Sequence, residues 1–225
     1  MESSVTVDAF ARLGAAKKVA SLRECTCPVE VIRAGAVDTS SGMRVAAVGN
    51  PRAPAEVIRA GAGDEDSWVR AAAVGNPNAP EDVITTGAQD KHWWVRWAAV
   101  GNPKAPTDVI RAGAADEHLV VKLAAVENPC APEGVIMSGV QDEYREVREA
   151  AVGNPKAPTE VIAAGARDRS PYVRKAAASH PRISEEAAER LSRSKTREIQ
   201  RLLAENPAVP ERIRVVAAMR VEAFH

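Results

Sequence analysis

The sequence is poor in aromatic residues and has no excess of either charge. Aromatic residues make up 4% of the chain although 45% of it is hydrophobic, and most of those hydrophobic residues are Ala and Val. Because large apolar side chains are scarce, the core must be thin and its backbones closely packed. This favours a stack of small layers over a thick globule. The formal net charge of +0 does not point to nucleic acid or membrane as a partner of the whole chain.

Cysteines and long apolar runs are also few. Three cysteines, an odd and low number, do not suit the disulfide framework of a small secreted protein. No apolar run approaches the ~20 residues of a membrane helix, and the start Glu2-Ser3-Ser4 is unlike a signal peptide. We therefore expect a soluble, cytoplasmic protein that does not contact membranes.

A repeat of 26 residues dominates the sequence. It is marked by Asn-Pro pairs in fixed register, and His replaces Asn once. The pairs and their one variant are Asn50-Pro51, Asn76-Pro77, Asn102-Pro103, Asn128-Pro129, Asn154-Pro155, His180-Pro181 and Asn206-Pro207, each 26 residues after the last. Repeats of this kind predict a solenoid, because each unit buries its apolar face only against its neighbours.

Each copy predicts two short helices joined by tight turns. In the copy RAPAEVIRAGAGDEDSWVRAAAVGNP, Pro54 suits the first position of the first helix, where a missing N–H costs nothing. Asp64 suits the N-cap of the second helix. Gly61 allows a neighbouring helix to approach closely, and Gly75 supplies a helix stop. The first helix has about nine residues, in α or 3₁₀ conformation.

Two polar ladders follow from the same spacing. The asparagines of the Asn-Pro pairs should line one edge and bond the backbone of the adjacent layer. A line of recurring aspartates runs beside a line of recurring basic residues. We interpret the aspartates as helix caps that also form ion pairs with the basic residues between layers. The alternative is an arginine stripe that binds phosphate, although the acidic line would cancel much of its field. The two lines are Asp38, Asp64, Asp90, Asp116, Asp142 and Asp168, and Arg44, Arg70, Arg96, Lys122, Arg148 and Arg174.

The motif P-x-E-V-I, followed by D-x-x-x-x-V-R-x-A-A-V-G-N-P, recurs between residues 27 and 207. It resembles the leucine-rich repeat variant family of bacterial proteins. The resemblance implies an all-α, right-handed superhelical solenoid of paired α and 3₁₀ helices, similar to HEAT arrays but with shorter units. We expect an N-terminal capping helix in residues 1–26, a seven-copy repeat array in 27–207 and a C-terminal capping helix in 208–225.

This chain departs from the family in the length of its repeat, which is slightly above the usual one, and in its cysteines. A founding member of the family carries an N-terminal iron–sulfur cluster, which normally needs four thiolates. Here Cys25 and Cys27 occupy ordinary repeat positions, and Cys130 lies four layers from Cys27. We therefore expect no metal site and no cofactor.

Residues that vary between copies are free to make contacts, and all four tryptophans fall in such positions. A helical projection places Trp94 and Trp97 on one side of the second helix, away from its buried stripe. With neighbouring layers they predict an aromatic and aliphatic patch for a protein partner, since exposed apolar patches and tryptophan mark contact sites. A second copy of this chain is an alternative occupant, and burial as core is the alternative to contact. The patch comprises Trp68, Trp93, Trp94, Trp97, His92, His118, Leu119, Val120 and Leu123.

The C-terminal layers are basic. Residues 167–220 contain 13 basic and 7 acidic residues, a net of +6, and this predicts an alternative function in binding nucleic acid. The other interpretation is a solvated polar cap. The crowded basic residues are Arg190, Arg193, Lys195, Arg197 and Arg201.

No catalytic motif is present: the sequence has no Gly-rich phosphate loop, no H-E-x-x-H and no G-x-S-x-G. The sequence thus predicts a binding scaffold with no enzymatic activity.

Overall fold

The computed structural model describes residues 6–24 and 26–223. Within those ranges the regular secondary structure is α-helical and contains no strand. The helices are α1 (Val7–Ala11), α2 (Ala15–Arg23), α3 (Val29–Ala36), α4 (Ser41–Val48), α5 (Ala55–Ala62), α6 (Ser67–Val74), α7 (Glu81–Gly87), α8 (Trp93–Val100), α9 (Thr107–Ala114), α10 (Leu119–Glu127), α11 (Glu133–Gly139), α12 (Arg145–Gly153), α13 (Thr159–Gly165), α14 (Pro171–Ser179), α15 (Glu185–Ser192), α16 (Arg197–Glu205) and α17 (Glu211–Glu222). None of these helices is long and apolar enough to cross a membrane.

The chain forms two compact units, Met1–Ala124 with Asn128–Cys130, and Ala125–Glu127 with Ala131–His225. In the first unit, α3 and α4 form one layer, α5 and α6 the next, and α7 and α8 the third. In the second unit the layers are α11 with α12, α13 with α14, and α15 with α16, and α17 packs on α16. These layers confirm the predicted all-α solenoid with two helices in each 26-residue repeat.

The first helices α3, α5, α7, α9, α11 and α13 begin directly after a proline, one residue later than predicted, whereas α15 begins after Ser184. Pro54 is the N-cap of α5, with an extended backbone at ψ 156, and its carbonyl accepts from the backbone N–H groups of Val57 and Ile58. Proline suits this position because its own missing N–H leaves no donor unsatisfied.

The N-cap of each second helix from α4 to α14 lies two residues after the predicted cap. Asp66, not Asp64, is the N-cap of α6, and its carboxylate accepts from the N–H of Trp68. The carboxylate of Asp64 instead accepts from the N–H of Asp66 at 2.8 Å. This bond closes the turn that leads into α6 and leaves Asp64 free to pair with another layer.

Small residues allow the layers to approach closely. A Cβ atom on Gly61 would lie 2.6 Å from a methyl carbon of Val48 in the preceding layer, so Gly61 is needed for packing, as predicted. Gly75 ends α6 with φ −79, so it does not adopt the left-handed conformation common at helix ends. A Cβ there would lie 3.1 Å from the carbonyl oxygen of Ala71, a tight contact that the repeat tolerates elsewhere, since Glu127 occupies the equivalent position.

The predicted asparagine ladder is present in both units. Asn76 is buried, and its amide donates to the carbonyls of Val48 and Asn50 at 2.7 and 2.9 Å. Its side-chain oxygen accepts from the N–H of Asn78. His180 replaces asparagine in the second unit, where its Nε2 lies 3.1 Å from the carbonyl of Asn154. The ladder therefore satisfies buried backbone groups between layers, which would otherwise weaken the stack.

Candidate functional site

Three aromatic rings stack face to face near the start of α8, in the first unit. Trp94 lies between Trp68 of the preceding layer, at 5.5 Å between ring centroids, and His92, at 4.4 Å. Trp68 is 63% exposed, whereas Trp94 is half-buried and its indole N–H has no hydrogen-bond partner among the described residues. Trp94 is therefore the packed centre of the stack and Trp68 its exposed face.

Trp93 extends this arrangement toward the next layer. Its ring meets Trp94 edge-on, with an interplanar angle of 85°, and stacks on His118 at 4.2 Å. The ring nitrogen Nδ1 of His118 accepts from the N–H of Val120, which fixes the ring at the start of α10. Together Trp68, His92, Trp93, Trp94 and His118 form one continuous aromatic array across three layers.

Trp97 lies outside this array and lines a groove. The groove has a volume of about 500 Å³, and its surface is mainly apolar. Trp68 and Trp97, the latter 48% exposed, stand among its lining residues. The remaining lining residues are small or belong to the Asn-Pro turns: Val45, Gly49, Ala71, Ala72, Gly75, Asn76, Ala98, Gly101, Asn102 and Pro103.

Sequence reasoning identified the tryptophans but missed the rest of the groove. Gly49, Gly75 and Gly101 occupy one repeat position, and Ala72 and Ala98 another, and such recurrence by itself indicates only a scaffold role. The missed signal was that these small residues lie one turn from the tryptophan positions. The small side chains of these residues leave space beside Trp68 and Trp97.

The aliphatic residues predicted for the patch are less exposed than Trp68, Trp93 and Trp97. Leu119, Val120 and Leu123 are half-buried on α10, and none of them lines the groove.

The two histidines stack on tryptophans and do not converge on a metal ligand set. In the part of the chain that is described, no group of three or more His, Cys, Asp or Glu residues is placed to hold a metal ion.

The cysteines form no cluster that the structure describes. Cys27 is buried, and this burial, with the charge of Glu24, raises the pKa of its thiol against the effect of Arg52. Cys130 is exposed, and its sulfur lies 3.5 Å from the carbonyl oxygen of Pro103. Cys25 lies outside the described residues.

The arginines and aspartates of the two charged lines form inter-layer ion pairs. Arg70 donates from Nε and Nη2 to the carboxylate of Asp90 at 2.6 and 3.1 Å, and both side chains are largely buried. Its Nη1 donates to the carbonyl of Asp64, which begins the turn before α6. The same geometry occurs at Arg44–Asp64, Arg96–Asp116 and Arg148–Asp168. These contacts favour the ion-pair interpretation over a phosphate-binding stripe along the paired arginines.

The basic residues of the second unit are mostly exposed. No carboxylate in the described residues lies within ion-pair distance of four of them, namely Arg190, Arg193, Lys195 and Arg197. Arg201 differs, because it bridges Glu198 and Glu205 at 2.7 Å each. Arg201 is therefore compensated by its own helix and contributes little free charge.

The layers, the asparagine ladder and the ion-pair ladder define a helical-repeat solenoid. No family model matches the chain, and no curated protein sequence matches it. The structure is similar to a solved structure described as a leucine-rich repeat variant with a novel repetitive protein structural motif. The match covers 95% of this chain and 79% of that one, with a TM-score of 0.62 and 23% identity. At this identity the likeness shows the fold, and it agrees with the resemblance of the repeat motif.

Proposed function

We propose that the protein is a non-enzymatic scaffold that binds a protein partner through the groove between Trp68 and Trp97 and the adjoining aromatic array. The observation that carries the proposal is the exposure of these two rings beside an apolar space of about 500 Å³. Large exposed apolar surfaces are uncommon on proteins that have no partner.

The chemistry of the groove indicates what it binds. Its lining combines alanines and glycines with two indole rings, Val45 and residues of the Asn-Pro turns. Such a space suits one or two aliphatic or aromatic side chains of a partner segment, because tryptophan supplies a large contact area at low entropic cost. An indole N–H can in addition donate a hydrogen bond to the partner's backbone.

A displayed library of random peptides, selected on the full immobilised chain, would test this proposal. We expect the selected peptides to share apolar anchor residues and to bind at least about ten-fold more weakly to Trp68→Ala and Trp97→Ala, as expected for hot-spot residues. Tyr172→Ala is the matched control. Tyr172 is 47% exposed and occupies the repeat position of Trp68, but it lies on α14 in the second unit. Equal binding to all three variants would contradict the proposal.

A second copy of this chain remains an alternative occupant of the groove. Sedimentation analysis of the wild-type chain and of Trp97→Ala would distinguish it. An oligomer that the substitution dissociates would identify the partner as the chain itself, whereas a wild-type monomer would leave a different protein as the partner.

Nucleic-acid binding is the second candidate, and it rests on the uncompensated Arg190, Arg193, Lys195 and Arg197. The paired arginines of the ladder do not add to it. This candidate requires an affinity for oligonucleotides that falls steeply with salt concentration and that depends on these four residues. An affinity that does not change with salt would eliminate it.

A further inference from the structure

The ion-pair ladder lacks one carboxylate in the second unit. Arg174 occupies the ladder position 26 residues after Arg148. Like Arg148, it is anchored through Nη1, which donates to the carbonyls of Asp168 and Arg169 at 2.8 and 2.9 Å. The position of its expected partner, 26 residues after Asp168, is Ser194. Among the described residues, no carboxylate lies within ion-pair distance of Arg174.

Ser194 retains the turn of the ladder but not its charge. Its hydroxyl accepts from the N–H of Thr196 at 3.2 Å, as Asp168 accepts from the N–H of Ser170 at 2.7 Å. The local backbone therefore follows the repeat. Because Arg174 is anchored as the other ladder arginines are, its Nε and Nη2 face the place that a carboxylate fills beside Arg148.

That place is part of a polar pocket of about 470 Å³. Arg190 and Arg193 also line it, and no described carboxylate compensates either of them. The two other charged lining residues are already paired, Arg167 with Glu186 and Asp168 with Arg148. Three guanidinium groups thus line a space in which the one described carboxylate, that of Asp168, is already paired with Arg148.

We propose that this pocket binds a phosphate group that carries two negative charges. Arg174 supplies a fixed pair of N–H donors, whose planar geometry matches two oxygens of a phosphate. The exposed Arg190 and Arg193 add charge at the mouth of the pocket. A carboxylate would satisfy only one of the three arginines, whereas a doubly charged phosphate compensates two and fills more of the space. This site is separate from the tryptophan groove and does not depend on it.

Restoring the missing carboxylate provides the sharpest test. In Ser194→Asp the new side chain should pair with Arg174 and close the site, because the turn at residue 194 already has the geometry of the ladder. We would measure thermal unfolding of the full chain at constant ionic strength, with chloride replaced by millimolar inorganic phosphate. The wild-type midpoint should rise with phosphate, since a ligand that binds only the folded state stabilises it. The midpoint of Ser194→Asp should start higher and should not respond to phosphate.

Two further variants keep the test decisive. Ala208→Asp adds the same charge at an exposed repeat position that elsewhere carries Asn78 and Lys104, and it should respond to phosphate as the wild type does. Arg174→Gln removes the donor pair and should abolish the response even if Ser194→Asp does not fold. Glutamine is tolerated in this ladder position, which Gln200 occupies one layer later.

The proposal is overturned if phosphate leaves the wild-type midpoint unchanged, or if it raises the midpoints of the wild type and Arg174→Gln equally. An equal rise would be the general stabilising effect of an excluded salt. A parallel titration with phosphoserine identifies the source of the group. A response to phosphoserine supports a phosphate ester as the ligand, and a response confined to inorganic phosphate supports the free ion in the same site.

Discussion

Arg70 and Asp90 lie in successive layers of the first unit and are joined by two hydrogen bonds of 2.6 and 3.1 Å. The same guanidinium donates to the carbonyls of Asp64 and Glu65 at 3.0 Å each. One side chain thus completes the turn of its own layer and binds the next layer. A planar group with five donors can do both, which explains why arginine is favoured over lysine in this line.

Removal of Arg70 should therefore destabilise the fold far more than removal of an exposed arginine. We expect Arg70→Ala to lower the free energy of unfolding by about 2–3 kcal/mol, because it leaves a largely buried carboxylate and two backbone carbonyls without their donor. Urea unfolding followed by circular dichroism would measure the loss. Arg59→Ala is the control, since Arg59 and Asp82 form a well-exposed pair. A similar loss in both variants would refute the special role of Arg70.

Asp64 should make the stability depend on pH in the acidic range. Hydrogen bonds from Arg44 hold the pKa of Asp64 below its usual value, against the opposing effect of burial. A lowered pKa in the folded state means that the stabilisation is complete above the unfolded pKa of about 3.9 and is lost as pH falls through the folded value. We expect wild type to exceed Asp64→Asn in stability near neutral pH, and the difference to shrink below about pH 4. A difference that stays constant down to pH 2 would contradict this linkage.

His180 is the weak member of the asparagine ladder. Its Nε2 reaches one carbonyl, that of Asn154, whereas asparagine at an equivalent position, such as Asn76, donates to two carbonyls. We expect His180→Asn to raise the free energy of unfolding by about 1 kcal/mol, the value of one added hydrogen bond. Chemical denaturation of the variant beside wild type would measure the gain. A loss of stability would show that the imidazole makes up for the missing bond by packing.

Two tryptophans one turn apart should respond differently to truncation. Trp94→Ala removes the centre of a three-ring stack and should cost about 2 kcal/mol of folding free energy through lost burial and ring contacts. Trp97→Ala should change stability by less than about 0.5 kcal/mol, since this ring is exposed. Unfolding curves of both variants would test the contrast. Iodide quenching of fluorescence gives a second test in two variants that each keep a single tryptophan. Quenching should be stronger when only Trp97 remains (Trp68→Phe/Trp93→Phe/Trp94→Phe) than when only Trp94 remains (Trp68→Phe/Trp93→Phe/Trp97→Phe). Equal losses of stability would mean that Trp97 also belongs to the core.

The repeat period made the layers predictable, because a register of 26 residues without insertions places equivalent residues of successive copies beside each other. The close approach at Gly61 and the asparagine ladder followed from that register. The first residue of each second helix was harder to predict. Several polar residues precede these helices, and N-cap preference alone does not decide between Asp64 and Asp66 as the cap of α6. The choice depends on Arg44 of the preceding layer, which takes Asp64 as its partner.

The tryptophan site was predictable in its residues but not in its geometry. A helical projection puts Trp94 and Trp97 on one side of α8, yet their neighbours differ. Trp68 of the layer before stacks on Trp94, and the small Ala72 and Gly75 leave the groove open beside Trp97. The packing of a ring is decided by side chains 26 residues away, which a single helix cannot show.

The buried amides give each stack of layers a polarity. Asn76 serves the carbonyls of Val48 and Asn50 in the layer before it, and Asn102 does the same for Val74 and Asn76. The carbonyls at the end of one layer therefore gain their hydrogen-bond donor only when the next layer has folded. We expect the layers of a stack to fold cooperatively with their neighbours and not as independent modules. Damage to one asparagine should loosen the preceding layer first. Hydrogen exchange would then show lower protection of the backbone amides in the layer before the substituted asparagine and unchanged protection in the layer after it.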